Sequence, residues 1–277
     1  MIKKIIPPIY RMILGTFFHN FKGFFRKKPK VNPSRKIVIV VASPHKVGST
    51  WVYKILRDLT AFHEIFPSYK IFRELRKVRI PLDDLTDYFS NLKKGRGYLF
   101  KSHSLPPKVQ IDDVYYISVI RDPRDLIVSL SNYVSHLPVK LGGWGEKFSK
   151  MDDRNKIIEV INKSDFIYEL YSAWANYDNC LLFKYEDLKK DIYSCIVKLV
   201  DFTNIDTTDR MIKKSITKND FKKISGRKSG NENKNSFLRK GVVGDWKNHF
   251  DDELLKYFYT TQNGRWKEII VKNHYEL

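Results

Sequence analysis

A run of apolar, mostly β-branched residues near the start of the chain is followed directly by a short polar loop and a helical pattern. Residues 36–42 (KIVIVVA) show no alternation of polar and apolar side chains after Lys36, which predicts a strand buried on both faces, as in a parallel sheet. Residues 43–48 (SPHKVG) form the loop, and a helical pattern extends from about Ser49 to Leu59. A strand, a loop and a helix in this order form the repeating unit of α/β folds.

The rest of the chain continues the alternation of strands and helices. Strands are predicted at residues 97–103, 114–120 and 181–184, and helices at residues 123–136, 154–177, 188–203 and from about 251 onward. Residues 140–150 and 220–245 are predicted to be irregular, and residues 29–35 to be a linker. We therefore expect an N-terminal segment and linker at residues 1–33, and a single α/β domain with a central parallel sheet at residues 34–277.

The charge of the chain limits the partners that it can have. Lys and Arg number 51 against 31 Asp and Glu, a net charge of +20, which predicts attraction to nucleotides, nucleic acids, anionic lipids or acidic glycans. No known nucleic-acid-binding motif is present and the basic residues are spread along the chain, so we expect no nucleic-acid partner. The two cysteines, Cys180 and Cys195, provide neither a disulfide framework nor metal-ligand spacing, which suits the reducing cytoplasm and predicts no metal.

Residues 1–30 combine aromatic and aliphatic side chains with interleaved lysines and arginines. From Tyr10 onward the apolar positions recur at steps of three and four, which predicts an amphipathic helix. The longest apolar stretch is far shorter than the roughly 20 residues that span a bilayer. Two interpretations stay open: a segment that holds a cytoplasmic protein peripherally on an anionic membrane, and a helix packed on its own domain.

The loop after the first predicted strand has the chemistry of a phosphate-binding loop. Gly48 permits close backbone approach to an anion, and the following helix presents unpaired N–H groups at its N-terminus. Lys46 adds a positive charge, and Ser49 and Thr50 add hydroxyl donors. The triphosphate-binding pattern G-x-x-x-x-G-K-[ST] is absent, because Lys46 precedes the glycine.

Two further segments carry residues suited to anions. In residues 121–129 (RDPRDLIVS), Arg121 ends a predicted strand and Ser129 lies two turns into the next helix, so both can hold one phosphate group. Residues 237–246 (FLRKGVVGDW) place two cations beside a glycine on an irregular segment, which can close over an anion as a flap. Each segment alone also fits an ordinary basic surface.

Together the three segments resemble the two signatures of the sulfotransferase family that bind its donor, 3′-phosphoadenosine 5′-phosphosulfate (PAPS), and the R-K-G-x-x-G-D-W-K segment that covers the donor. They occur in the family's order and with roughly its spacing, from about Lys36 to Phe250. The resemblance implies one α/β domain with a phosphate-binding loop, and transfer of a sulfuryl group from PAPS to a hydroxyl of an acceptor such as a lipid, a glycan or a small molecule.

The resemblance also assigns residues. The contacts to PAPS that it implies are Lys46, Val47, Gly48, Ser49, Thr50, Trp51, Arg121, Ser129, Tyr185, Phe221, Arg239, Lys240 and Gly241. In Lys101-Ser102-His103, it implies that His103 is the general base on the acceptor oxygen. Lys46 and Lys101 then stabilise charge on the leaving phosphate and the transferred group. The acceptor-facing loops are expected at residues 63–96 and 136–152.

Two residues depart from the family pattern: Val47 stands where a serine is common, and His45 where a proline is common. We interpret His45, His63 and His136 as structural or surface histidines.

Two other functions stay open: a phosphate-loop kinase, which would need a carboxylate-bound Mg²⁺, and a non-catalytic protein that binds anions or membranes.

Overall fold

The computed structural model describes residues 31–65, 82–136 and 144–276. The N-terminal segment 1–30 lies outside these residues, and so do parts of the two expected acceptor-facing loops. Within the described ranges no helix is both long and apolar enough to cross a membrane.

Five parallel strands form one sheet in the order β2-β3-β1-β4-β5. The strands are β1 Ile37–Ala42, β2 His63–Ile65, β3 Gly97–Ser102, β4 Val114–Ile120 and β5 Cys180–Lys184. The first strand lies at the centre, where Val40 is in register with Phe100 of β3 and with Tyr116 of β4. This confirms the predicted α/β fold with a central parallel sheet.

Twelve α-helices of the described chain surround the sheet. They are α1 Ser49–Thr60, α2 Thr86–Ser90, α3 Pro123–Ser135, α4 Gly145–Ser149, α5 Asp153–Asn162, α6 Asp165–Ala175, α7 Tyr185–Lys190, α8 Ile192–Thr203, α9 Asp209–Lys218, α10 Phe221–Ser225, α11 Asp252–Thr260 and α12 Arg265–Lys272.

Alternate residues of β1 enter separate cores on the two faces of the sheet. Ile39 and Val41 pack with α1 and α3 on one face, whereas Val38 and Val40 pack with Phe89 of α2 and with α6 on the other. Since both faces are covered, each residue from Val38 to Ala42 is fully buried, which explains the uninterrupted apolar run in the sequence.

The helix predicted at residues 154–177 is two helices, α5 and α6. The break falls at the buried Ser164, whose hydroxyl donates to the Ile161 carbonyl at 2.7 Å and accepts from the Trp266 indole N–H at 3.2 Å. A side chain from the C-terminal part of the chain thus fixes a turn at this position, which local periodicity does not reveal.

Other boundaries also differ from the prediction. The helix predicted at 188–203 starts earlier and is divided at Asp191, whose carboxylate accepts from the Ser194 N–H at 3.0 Å and caps α8. The segments predicted to be irregular contain the short helices α4 and α10, while β2, α2 and α9 were not predicted.

The topology brings the motif loops to one edge of the sheet. After β3 the chain crosses over β1 to β4, so the carboxyl ends of β1, β3, β4 and β5 lie side by side. In open parallel sheets, ligands bind at this edge, where the strand order reverses. The residues that follow these strand ends are the loop 43–48, His103, Arg121 and Tyr185.

Candidate active site

The loop 43–48 turns sharply between β1 and α1. Lys46 and Gly48 both have left-handed backbone angles, with φ of 63° and 96°. A Cβ on Gly48 would lie 2.6 Å from the Tyr185 ring, so only glycine fits there. Gly48 precedes α1 without a side-chain cap, which leaves the first N–H groups of the helix available to an anion. The Val47 side chain is fully buried, so Val47 can contribute only its backbone N–H.

Four cations converge on this loop. Burial, together with the charges of Arg121, Arg239 and Lys101, lowers the pKa of the Lys46 ammonium to about 7. Burial also lowers the pKa of Lys101, to about 8. Among the described residues, no carboxylate forms an ion pair with either lysine. Because the neighbouring positive charges disfavour the charged form of Lys46, this arrangement favours binding of a multiply charged anion.

Lys46 is held between the loop and the flap. Its ammonium donates to the Phe237 carbonyl at 2.9 Å, and lies 3.9 Å from the centre of the Phe237 ring and 4.5 Å from that of Tyr133. The two aromatic rings meet edge to face, with centres 5.6 Å apart. Neither ring was among the predicted site residues, because their contact with Lys46 depends on tertiary structure.

His103 lies at the end of β3 with both ring nitrogens engaged. Its Nδ1 is 2.7 Å from the Ser43 carbonyl oxygen, which can only accept, so Nδ1 carries the proton. Its Nε2 is 2.9 Å from the Lys101 ammonium, which donates to the lone pair. The geometry therefore gives a neutral imidazole with a basic Nε2. His45, which we interpreted as structural or surface, stacks on this ring.

Arg121 is buried and fixed from three sides. Its Nη2 lies 3.1 Å from an Asp125 carboxylate oxygen and 2.8 Å from the Val242 carbonyl oxygen, and its guanidinium lies 4.5 Å from the centre of the Tyr185 ring. Its Nε has no hydrogen-bond partner despite complete burial. Ser129, one turn beyond Asp125 on α3, is also buried. An unused donor on a fixed guanidinium suits an additional anion.

Asp125 connects the flap to α3. Its carboxylate accepts from the backbone N–H groups of Gly244 and Trp246 at 2.8 and 2.9 Å, in addition to holding Arg121. Sequence analysis did not assign it a role, although it belongs to the same motif as Arg121. Its contacts fix the base of the flap against the helix that carries Ser129.

The two cations of the flap, Arg239 and Lys240, form ion pairs with nearby carboxylates of the chain. Arg239 is bound to Glu232 at 2.5 Å and to Asp245, which also binds Lys240. Burial would raise the pKa of Asp245, but hydrogen bonds from His249, Lys240 and Arg239 hold it well below its usual range. The Arg239 Nε is another buried donor without a partner. The ammonium of Lys240 thus points to Asp245, and its predicted contact with PAPS stays a prediction.

The aromatic side chains of Trp51 and Phe221 lie between α1 and the flap. The Trp51 indole N–H donates to the Asn219 carbonyl at 3.0 Å, which brings Phe221 close to the loop. A Cβ on Gly241, whose φ is 72°, would lie 2.5 Å from the Phe221 ring. The structure thus brings Trp51, Phe221 and Gly241 together along one side of the site.

The expected acceptor side is only partly described. Several side chains of the two expected acceptor-facing loops would suit an acceptor. Of these, Phe66, Tyr69, Phe72, Arg73, Arg76 and Lys77 lie outside the described residues. Trp144 is described, and its ring packs edge to face on Phe148 with centres 5.0 Å apart. Its part in acceptor binding stays a prediction.

Comparisons with known proteins agree with this architecture. The sulfotransferase domain family matches residues 36–264. Sulfotransferase 2A1 of Rattus norvegicus is 33% identical over 274 residues, covering 88% of this chain and 90% of the relative. The crystal structure of a mouse sulfotransferase complexed with PAP has a TM-score of 0.57 at 20% identity and covers 85% of this chain and 91% of its own.

The structure of a retinol dehydratase in complex with retinol and PAP has a TM-score of 0.56 at 18% identity, covering 88% of this chain and 83% of its own. At these identities the two structures establish a shared fold. The family match extends over most of the chain and includes the loop, the Arg121 motif and the flap. On this evidence the chain belongs to the sulfotransferase family.

Proposed function

We propose that this protein transfers the sulfuryl group of PAPS to a hydroxyl group of an acceptor. The observation that carries the proposal is the convergence of Lys46, Lys101, Arg121 and Arg239 beside the neutral His103. Family membership supports sulfuryl transfer. The mouse sulfotransferase and the retinol dehydratase were both solved with PAP, adenosine 3′,5′-bisphosphate, which is PAPS without its sulfuryl group.

The two ends of PAPS fit different parts of the site. The N-terminus of α1 and Lys46 suit the 5′-phosphosulfate, because they combine N–H donors with a positive charge. Arg121, Ser129 and Arg239 suit the 3′-phosphate, since both guanidinium groups retain an unused buried Nε donor. Ser49, Thr50, Val47 and Gly48 would contribute through the loop and the first helical turn. Trp51 and Phe221 would border the adenine. The Tyr185 ring packs against Gly48 and under the Arg121 guanidinium, so it would hold both in place.

The reaction is a displacement at sulfur. The acceptor oxygen forms a bond to sulfur while the bond from sulfur to the 5′-phosphate oxygen breaks, and its electron pair goes to the phosphate. The acceptor proton passes to Nε2 of His103, which holds its Nδ1 proton on the Ser43 carbonyl. Lys46 stabilises the charge on the departing phosphate, and Lys101 that on the sulfuryl oxygens.

Lys101 has to move for this step. In the structure its ammonium donates to Nε2 of His103, which is the atom that would accept the proton. Donor oxygens would compete for the ammonium, and a flexible lysine side chain can turn toward them. Binding of PAPS would then release Nε2 as a base only when the donor is present.

We infer a hydroxyl acceptor from the chemistry of His103, because the loops expected to contact the acceptor are only partly described. A neutral imidazole removes a proton from a hydroxyl group, and the retinol dehydratase structure contains retinol, an alcohol. Contact of residues 1–30 with an anionic membrane would place the site near lipid alcohols, within a cytoplasmic location. The hydroxyl acceptor and the membrane contact both stay predictions.

Transfer can be measured directly with PAPS carrying ³⁵S. We expect label to move to at least one hydroxyl compound in a panel of 2-naphthol, a sterol, retinol and a desulfated glycan. Transfer should persist in EDTA, because the positive charge comes from Lys46 and Lys101. Loss of activity in EDTA with recovery in Mg²⁺ would favour a kinase-like site instead.

Recognition of the 3′-phosphate can be tested without any acceptor. PAP should bind at least tenfold more tightly than 5′-AMP in calorimetry, since each charge-assisted hydrogen bond contributes about 1.5–3 kcal/mol. Adenosine 2′,5′-bisphosphate has the same charge and serves as the matched control, expected to bind weakly like 5′-AMP. Equal affinity for all three nucleotides would refute the assignment of Arg121 and Arg239.

Replacement of His103 separates catalysis from binding. His103→Ala should lower turnover by roughly 10²–10⁴-fold, the usual effect of removing a general base, while PAP affinity changes little. His274→Asn removes an exposed histidine that lies outside the donor site and both expected acceptor-facing loops, and asparagine tolerates its left-handed backbone. This matched control should retain turnover. Wild-type turnover in the His103 variant would show that another group accepts the proton.

A further inference from the structure

Two histidine rings from different parts of the chain are stacked at the site. The centres of the His45 and His103 rings are 3.9 Å apart, and their planes differ by 25°. His45 lies in the loop 43–48, between the buried Pro44 and the left-handed Lys46. Its backbone is therefore fixed by the same turn that presents the helix N-terminus.

One of the two hydrogen bonds that hold the His103 ring would be lost in the proposed reaction. Its Nδ1 bond to the Ser43 carbonyl is well anchored, because the Ser43 hydroxyl accepts from the Val119 N–H of β4 at 3.0 Å. The second bond, from Lys101, is the one that the proposed reaction breaks. Loss of the Lys101 bond lets the imidazole rock more freely about the line from Nδ1 to the carbonyl oxygen, since the terminal torsion of histidine has a broad minimum.

Face-to-face contact with a second flat ring restricts that rocking. We propose that His45 is a positioning residue, which holds the plane of His103 so that Nε2 points at the acceptor oxygen throughout proton transfer. This inference rests on the proposed function. The contact is made through a ring face, which has no lone pair, so His45 acts on His103 by packing against its plane.

Turnover should be sensitive to the ring at position 45, and donor binding should not. His45→Ala is expected to lower turnover about 10–100-fold, the range associated with small misplacements of reacting groups. PAP affinity should stay within about twofold, because His45 is not among the donor-binding cations. His45→Phe keeps a flat ring and should recover most of the lost turnover.

A double variant distinguishes positioning from general loosening of the loop. In the His103→Ala background there is no imidazole to orient, so adding His45→Ala should cause no further loss. The probes are release of PAP from PAPS in water and transfer of ³⁵S to 2-naphthol. His274→Asn, at an exposed position outside the donor site and both expected acceptor-facing loops, is the control. NMR of the His103 ring protons gives an independent measure, since loss of a stacked ring removes its ring-current shift.

Two results would overturn the positioning role: wild-type turnover in His45→Ala, or an equal additional loss in the His103→Ala background. Failure of the proposed function would be recognised separately. In that case the wild-type protein would transfer no label and would bind PAP no better than 5′-AMP, whatever residue stands at position 45.

Discussion

Mutual repulsion among four cations is the constraint around which the rest of the site is arranged. Lys46, Lys101, Arg121 and Arg239 meet at the carboxyl edge of the sheet, where burial and the neighbouring charges lower the pKa of Lys46 to about 7. The fold can hold them there because they come from rigid positions beside strand ends or on a flap fixed by Asp125. A bound anion would relieve the repulsion that folding leaves in place.

The cations are supported in two different ways. Carboxylates from the protein hold the arginines: Asp125 binds Arg121, and Asp245 binds Arg239. The lysines have no such partner among the described residues, and instead contact a carbonyl and a histidine. Fixed guanidinium groups suit a phosphate that is held throughout the reaction. Ammonium groups that can move suit the charge that develops on the transferred group and on the phosphate that leaves it.

The sequence predicted those parts of the molecule that depend on residues close together along the chain. Continuous apolar runs located β1 and β4, and the spacing of the three motifs located the loop, Arg121 and the flap. Interactions between distant segments were not predictable: the break at Ser164 depends on Trp266, and the site of Lys46 is completed by Tyr133 and Phe237. The stacking of His45 on His103 was also not predicted, because contact between residues of two loops leaves no periodic signal in one sequence.

Proton uptake during PAP binding measures the relief of this repulsion most directly. At pH 8, above the second pKa of a phosphate of about 6, Lys46 in the free protein is mostly neutral, whereas an adjacent phosphate raises its pKa and makes it charged. Affinity should therefore fall as the pH rises above about 7. Calorimetry at pH 8 in two buffers of different ionisation enthalpy should show uptake of about one proton, mostly by Lys46 with a smaller share by Lys101, and Lys46→Met should lose most of it. Binding with no net proton uptake at pH 8 would contradict the account of a phosphate centre built on buried, mutually repelling cations.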